Sequence, residues 1–429
     1  MKTRSKFMNF KGKQIILCLV AFLFILFPLY LPDKVKAAES SDFTIEDGIL
    51  VKYSGVSETV IIPDTVISIG NSAFSRCKEI KSISIPDTVT SIGYSAFSSC
   101  INLVRVEIPD SVTEIKESAF IGCSKLKEIK LPKTITQIEN MTFYQCRSLT
   151  DVSIPDSVTV IGPWAFRDCK SLKNITIPAS VTTIDIMAFS DCSALTDVKY
   201  AKSIKTIGYR AFYKTPWIYA RKKTDKFVVI NGIMIDISST KKGKVTIPDT
   251  VTIIGEGALE DNTAITDIII PSSVTKIESS AFERCSKLKR VIIPASVKKI
   301  GSSAFKECTS LKTIELPTAI TELNDAIFMG CSSLTTITIP KKVTKIGNSA
   351  FSNCYNLKRI IIPDKTTSLG NYAFYHCTAL KSITIPASVK NMGEYMFGAL
   401  NKDLTIICKK NSYAHSFARK KNIKYSFIK

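Results

Sequence analysis

A proline recurs every 23 residues: Pro63, Pro86, Pro109, Pro132, Pro155 and Pro178, then, after an interruption, Pro248, Pro271, Pro294, Pro317, Pro340, Pro363 and Pro386. A phenylalanine follows each by 11 residues from Phe74 to Phe397, with Leu259 the single substitute, and a cysteine follows eleven of them by 14 residues. The unit at Ala201 lacks its proline and cysteine but keeps Ile204, Ile207 and Phe212. Seven units therefore fill 57–217 and seven fill 242–402. A unit this short cannot bury its own apolar side, so it must stack on its neighbours, and ordinary globular domains are excluded for most of the chain.

One unit shows the local logic. Val106 and Ile108 alternate with Arg105 and Glu107, the period-2 pattern of a strand with one face buried. Pro109 ends the strand at a corner, where a missing N–H costs no ladder bond. Val112-Thr-x-Ile115 reads as a second short extended segment, and Ser118-Ala119-Phe120 as a helical turn. Stacked coils place each phenylalanine over the next at roughly 5 Å per coil, which makes fourteen coils a rod about 65–70 Å long. Lys116, Glu139, Asp185, Glu278 and Asn324 stand where other units have glycine, which argues against a strict need for positive φ there.

The pattern Ile-Pro-x-x-Val-Thr-x-Ile-Gly-x-x-Ala-Phe-x-x-Cys resembles the BspA-like, or Treponema-type, leucine-rich repeat. The resemblance implies a mostly β solenoid: a right-handed superhelix of 23-residue coils with a parallel β-sheet and short helical turns. It further implies a bacterial surface or secreted protein, and for some members adhesion to host extracellular matrix proteins such as fibronectin or fibrinogen.

The ends of the arrays carry their own signals. Basic residues from Lys2 to Lys13, an apolar run from Ile15 to Leu31 and Val35-Lys36-Ala37 read as a secretory signal peptide over 1–37, cleaved after Ala37. An uncleaved anchor is the competing reading of the same run. Residues 38–56 hold Asp47-Gly48 between apolar runs, and 218–241 hold Asn231-Gly232 in the same setting, so each is expected to form a hairpin that starts an array. Phe417–Ile428, within the basic C-terminal cap 403–429, aligns with Tyr219–Ile230, so each array is expected to end in a short amphipathic helix and a strand. No Leu-Pro-x-Thr-Gly sorting signal follows, and covalent wall anchoring is not expected.

Subtraction bears on function. The leader, the arrays and three short linking segments leave no room for a catalytic domain, so an enzyme is not expected. His376 and His415 are the only histidines, and no Cys-x-x-Cys pair exists, so neither a metal nor another cofactor is expected. His376 beside Cys377 reads as coincidence, because that cysteine occupies the structural column. The cysteine column reads as buried thiols bonded to turn carbonyls rather than as a disulfide ladder, and Asn262 takes the same position in one unit.

Binding is the expected activity, and the outward columns of the strands are where solenoids present it. Arg105 and Lys130 in the first array, and Ile269, Arg290, Ile292, Arg359 and Ile361 in the second, are the candidate contacts, arginine beside apolar side chains being a hot-spot mixture. A solvated sheet with scattered apolar residues is the plain alternative. Without 1–37 the chain keeps 51 basic and 36 acidic residues. That excess suits an anionic partner, whether a protein ligand of the host matrix or an anionic cell-wall polymer. Export and the lack of base-stacking aromatics argue against nucleic acid, and no later stretch approaches a membrane span.

Overall fold

The computed structural model describes residues 38–398 and 403–428. The leader reading falls outside these residues.

Three parallel ladders, one per side of the coil, join successive units. On the first side, Thr59–Ile61, Ser82–Ser84, Arg105–Glu107, Glu128–Lys130 and Asp151–Val152 pair in order, each residue opposite the one 23 positions on. Inward Val106 is buried while flanking Arg105 and Glu107 are exposed. On the second side, two-residue strands such as Ser91–Ile92 and Glu114–Ile115 pair in the same register, each pointing its isoleucine inward.

The third ladder corrects the helical reading of Ser-Ala-Phe. That segment is two successive turns, each containing a left-handed residue: Ser95 (φ 54°) and Ser99 (φ 58°), or Ser118 (φ 59°) and Gly122 (φ 73°). Alternate amides close the turns, as Ser98 N donates to Ser95 O at 3.0 Å. The amides between them reach the next coil, as Phe97 N donates to Ala119 O at 2.8 Å. A helix would consume every amide within its own coil and leave none to join coils. The glycine before these turns has ordinary φ, and its role is close approach. A Cβ on Gly93 would lie 2.8 Å from Asn71 N of the preceding coil.

The interior follows from this register. Phe74, Phe97 and Phe120 stack face to face with centroids 5.1 and 5.0 Å apart, and Phe282, Phe305 and Phe328 repeat the arrangement at 5.1 and 5.7 Å. Nine cysteine thiols donate to the carbonyl of the phenylalanine 26 residues earlier, such as Cys123 Sγ to Phe97 O at 3.1 Å and Cys331 Sγ to Phe305 O at 3.0 Å, while Cys285 donates to Leu259 O and Cys77 to Tyr53 O. All twelve cysteines among the described residues are free thiols, as expected for a column that satisfies carbonyls rather than cross-linking coils.

The first array closes where its cysteine is missing. Thr215 stands at that position, donates to Phe212 O at 2.8 Å and caps α1 (Pro216–Thr224) by accepting from Ile218 N at 3.2 Å. Trp217 then covers the phenylalanine stack, 4.8 Å from Phe212. The hairpin Phe227–Ile237 follows, with Asn231 and Gly232 both at positive φ, as Asp47 and Gly48 are in the first hairpin. Its second strand starts the new array by pairing with Ile253–Ile254.

The C-terminal end is built differently from α1 and its strand, despite their aligned sequences. Thr405–Cys408 continues the strand register from Ser382–Ile385. α2 (Tyr413–Lys420) comes after that strand, whereas α1 comes after the turns. Lys424–Phe427 adds in parallel to Thr405–Cys408, whereas Phe227–Ile230 runs antiparallel to its partner.

The buried residues form two clusters that meet at the restart hairpin, one ending at Ile233 and the next beginning at Met234. The turn ladder stops there: the amides of Arg210, Phe212 and Lys214 donate to no carbonyl among the described residues. Side chains bridge the gap instead. Glu260, whose side chain is 6% exposed, accepts from the Tyr209 hydroxyl, from Arg210 at 3.0 Å and from Arg284, which also binds Asp261 at 2.6 Å.

Candidate functional site

Two open grooves lie on the strand side of the coils, at the same point of the repeat in different arrays. The first, about 570 Å³, is walled by Ser82–Ser84 and Arg105–Glu107, with Asp87, Asp110 and Lys130 at its rim. The second, about 690 Å³, is walled by residues 336–339 and Arg359–Ile361, with Lys341, Asp364 and Lys365 at its rim. Residues 254 positions apart correspond, so Arg105 matches Arg359 and Asp110 matches Asp364. Asp87 is exchanged for Lys341 and Glu107 for Ile361.

Those exchanges change the chemistry. In the first groove Lys130 is paired with Glu107, and Arg105 lies 3.9 Å from Glu128. The walls are joined residue to residue, Ser82 opposite Arg105 and Ser84 opposite Glu107. In the second groove three cations face one acid, and Ile361 is 52% exposed on the floor. From Lys341 to Lys390 no basic side chain has an ion-pair partner among the described residues.

The walls of the second groove are also unjoined. Residues 313–316 and 336–339 form no strand, and no backbone hydrogen bond connects 336–339 to 359–362. Ile337, whose counterpart Ile83 is buried, becomes partly exposed. The local sequence Thr-Ile-Thr-Ile supplies no reason, since Ser382-Ile-Thr-Ile385 pairs normally.

The sequence candidates divide accordingly. Arg105 and Lys130 share the first groove, and Arg359 and Ile361 share the second. Ile269, Arg290 and Ile292 lie on the strand face nearer the start of the second array, where Ile269 pairs with Ile292 and Asp267 with Arg290. The structure does not bring them to Arg359. Lys341 and Lys365 carry no mark in the outward columns of the strands. The signal that could have found Lys341 is the position after the proline, aspartate at 64, 87, 110, 156, 249 and 364 but lysine at 133 and 341.

Elsewhere the reactive residue types serve structure. The Cys377 thiol donates to Phe351 O at 3.1 Å, while His376 Nδ1 lies 3.3 Å from Asn353 Oδ1 and its ring packs on Tyr375. Burial pushes the thiols of Cys285, Cys331 and Cys377 up to about 12, the opposite of what a nucleophile needs. No cluster of three His, Cys, Asp or Glu side chains among the described residues is placed to hold a metal. No helix among them is long and apolar enough to cross a membrane.

The profile described as "BspA type Leucine rich repeat region (6 copies)" matches residues 51–173, 127–231, 238–358 and 300–426. A leucine-rich repeat protein from Bacteroides ovatus is 26% identical, with 93% of this chain and 100% of that chain covered and a TM-score of 0.42. A leucine-rich cell surface protein from Faecalibacterium prausnitzii is 27% identical, covering 84% of this chain and 95% of that one, also with a TM-score of 0.42. No curated protein matches the chain.

Proposed function

The chain belongs to the BspA-type leucine-rich repeat family, and on that premise we propose that it is an exported, adhesin-like binding module that presents its strand face to protein partners and catalyses nothing. The repeat family supports a protein-interaction role, and its members are typically surface proteins without enzymatic activity. The observation that carries the reading is the second groove, where Arg359 and exposed Ile361 stand together with no internal partner for the charge. Arginine beside an exposed aliphatic side chain is the composition of an interface anchor. Arg290 and Ile292 extend the same face, and Arg105, Lys130 and Ile269 are secondary contacts. Host extracellular matrix proteins are the first partners to try. Immobilised residues 38–429 should retain such a protein at moderate salt, and Arg290→Ala with Arg359→Ala should abolish the retention. Undiminished retention by that variant would remove the strand face from the reading, and turnover of any substrate by the purified chain would show that binding is not its whole activity.

One observation favours a second reading, a cell-envelope protein held to anionic wall polymers by charge. Residues 326–429 carry 16 basic and 3 acidic side chains. Release from cells by moderate salt alone would support it, because exposed charge pairs are screened over about 8–10 Å at such ionic strengths.

A further inference from the structure

Resting on the binding role just argued, we propose that the groove between residues 336–341 and 359–365 takes an acidic, extended peptide segment that carries an aliphatic side chain among its carboxylates. Three observations lead there. Lys341, Arg359 and Lys365 line the groove against the single acid Asp364, and none of the three has an ion-pair partner among the described residues. The complementary ligand is therefore anionic.

The floor separates peptides from other polyanions. Ile361 is 52% exposed and Ile337 partly so, between the hydroxyl-bearing side chains of Thr336 and Thr338. A sulfated or phosphorylated polymer gains nothing from aliphatic surface, whereas a peptide with Ile, Leu or Val between its acids buries that surface on binding. The backbone adds the third point. The amides and carbonyls of 336–339 have no partner on the facing coil, so the wall adds unpaired polar groups to the cations. A ligand lies over this wall rather than between the coils, which stay 5.5 Å apart at the rings of Phe328 and Phe351.

The first array supplies the control. Its groove has the same place, size class and arginine, but Asp87 and Glu107 replace Lys341 and Ile361, and Glu107 neutralises Lys130. Because each pair of residues already occurs at that position of the repeat, exchanging them keeps side chains that the coil accommodates.

The test is fluorescence anisotropy on residues 38–429 with three probes: a labelled peptide alternating Glu and Ile, a charge-matched peptide alternating Glu and Ser, and a sulfated oligosaccharide. The Glu–Ile peptide should bind at least about tenfold more tightly than either alternative, tenfold corresponding to about 1.4 kcal/mol. Lys341→Asp with Ile361→Glu should weaken it by a further factor of about ten. Asp87→Lys with Glu107→Ile should give the first array a second, weaker site for the Glu–Ile peptide, because its wall backbone stays paired to Arg105–Glu107 and Ser111 stands where the second groove has Lys365. Circular dichroism of both variants checks that the coils remain folded. Equal binding of all three probes would make the surface a general polyanion site and overturn the assignment. So would a folded Lys341→Asp, Ile361→Glu variant with unchanged affinity. A partner protein retained by the strand face but not displaced by the Glu–Ile peptide overturns the assignment while leaving the broader binding role standing.

Discussion

The two arrays build their interiors in the same way and differ in what they show to solvent. Phenylalanine stacks and thiol–carbonyl bonds repeat in both at nearly the same distances. Outside, the first array balances 18 basic against 16 acidic residues over 57–217, while the second sets 20 against 13 over 242–402. The first spends its charges on itself, as in Lys81–Glu58 at 2.6 Å and Arg147–Asp168 at 3.2 Å. The second leaves its basic side chains unpaired from Lys341 to Lys390 among the described residues. The lesson is one of constraint. An inward residue is fixed by both neighbouring coils at once, so the interior cannot drift, whereas an outward residue touches only its column and is free to acquire a partner elsewhere.

Several experiments would break that comparison or sharpen it. The largest effect belongs to alkaline pH and should fall on both arrays equally. Each array buries five cysteines of its column whose thiols are raised by desolvation, Cys123 and Cys331 among them. A raised folded-state pKa gives stability that is complete below the unfolded value near 8.5 and disappears as pH climbs toward the folded value. The loss approaches about 1.4 kcal/mol per thiol per pH unit, so denaturant midpoints should fall steeply from about pH 9 upward. A midpoint that stays flat to about pH 11 would mean the thiols are not buried as described.

Next, Phe120→Ala and Phe328→Ala should each cost about 3–5 kcal/mol in chemical denaturation. A large inequality between them would show that the two interiors are not equivalent. Smaller, about 2 kcal/mol, is the expected cost of Glu260→Gln, which removes the charge that Tyr209, Arg210 and Arg284 all address. Because that cluster replaces the missing turn ladder, the variant should also split one unfolding transition into two. Smallest is Lys130→Ala, which removes an exposed ion pair and should leave the melting temperature unchanged.

The coil was legible because its cause is periodic. A proline that ends each strand, a phenylalanine for the stack and a cysteine for the turn carbonyl are each visible at fixed spacing, and each does in the structure what its chemistry suggests. Ser-Ala-Phe was misread because local propensity alone cannot reveal that its amides are needed by the neighbouring coil. The groove was half legible. Arg359 and Ile361 stood out in the outward columns, but Lys341 and Lys365 sit past the proline, and only the bend of the coil brings them back to the strand edge. The unpaired wall at 336–339 had no signal at all, since its residues are those of a normal strand.

That wall is where the contrast between the arrays is most directly measured. Amide hydrogen exchange on the free chain should find residues 82–84, locked to Arg105–Glu107, far more protected than 336–339, whose backbone has no partner on the facing coil. Equal, strong protection of both segments would contradict the account, because the second groove would then be as closed as the first.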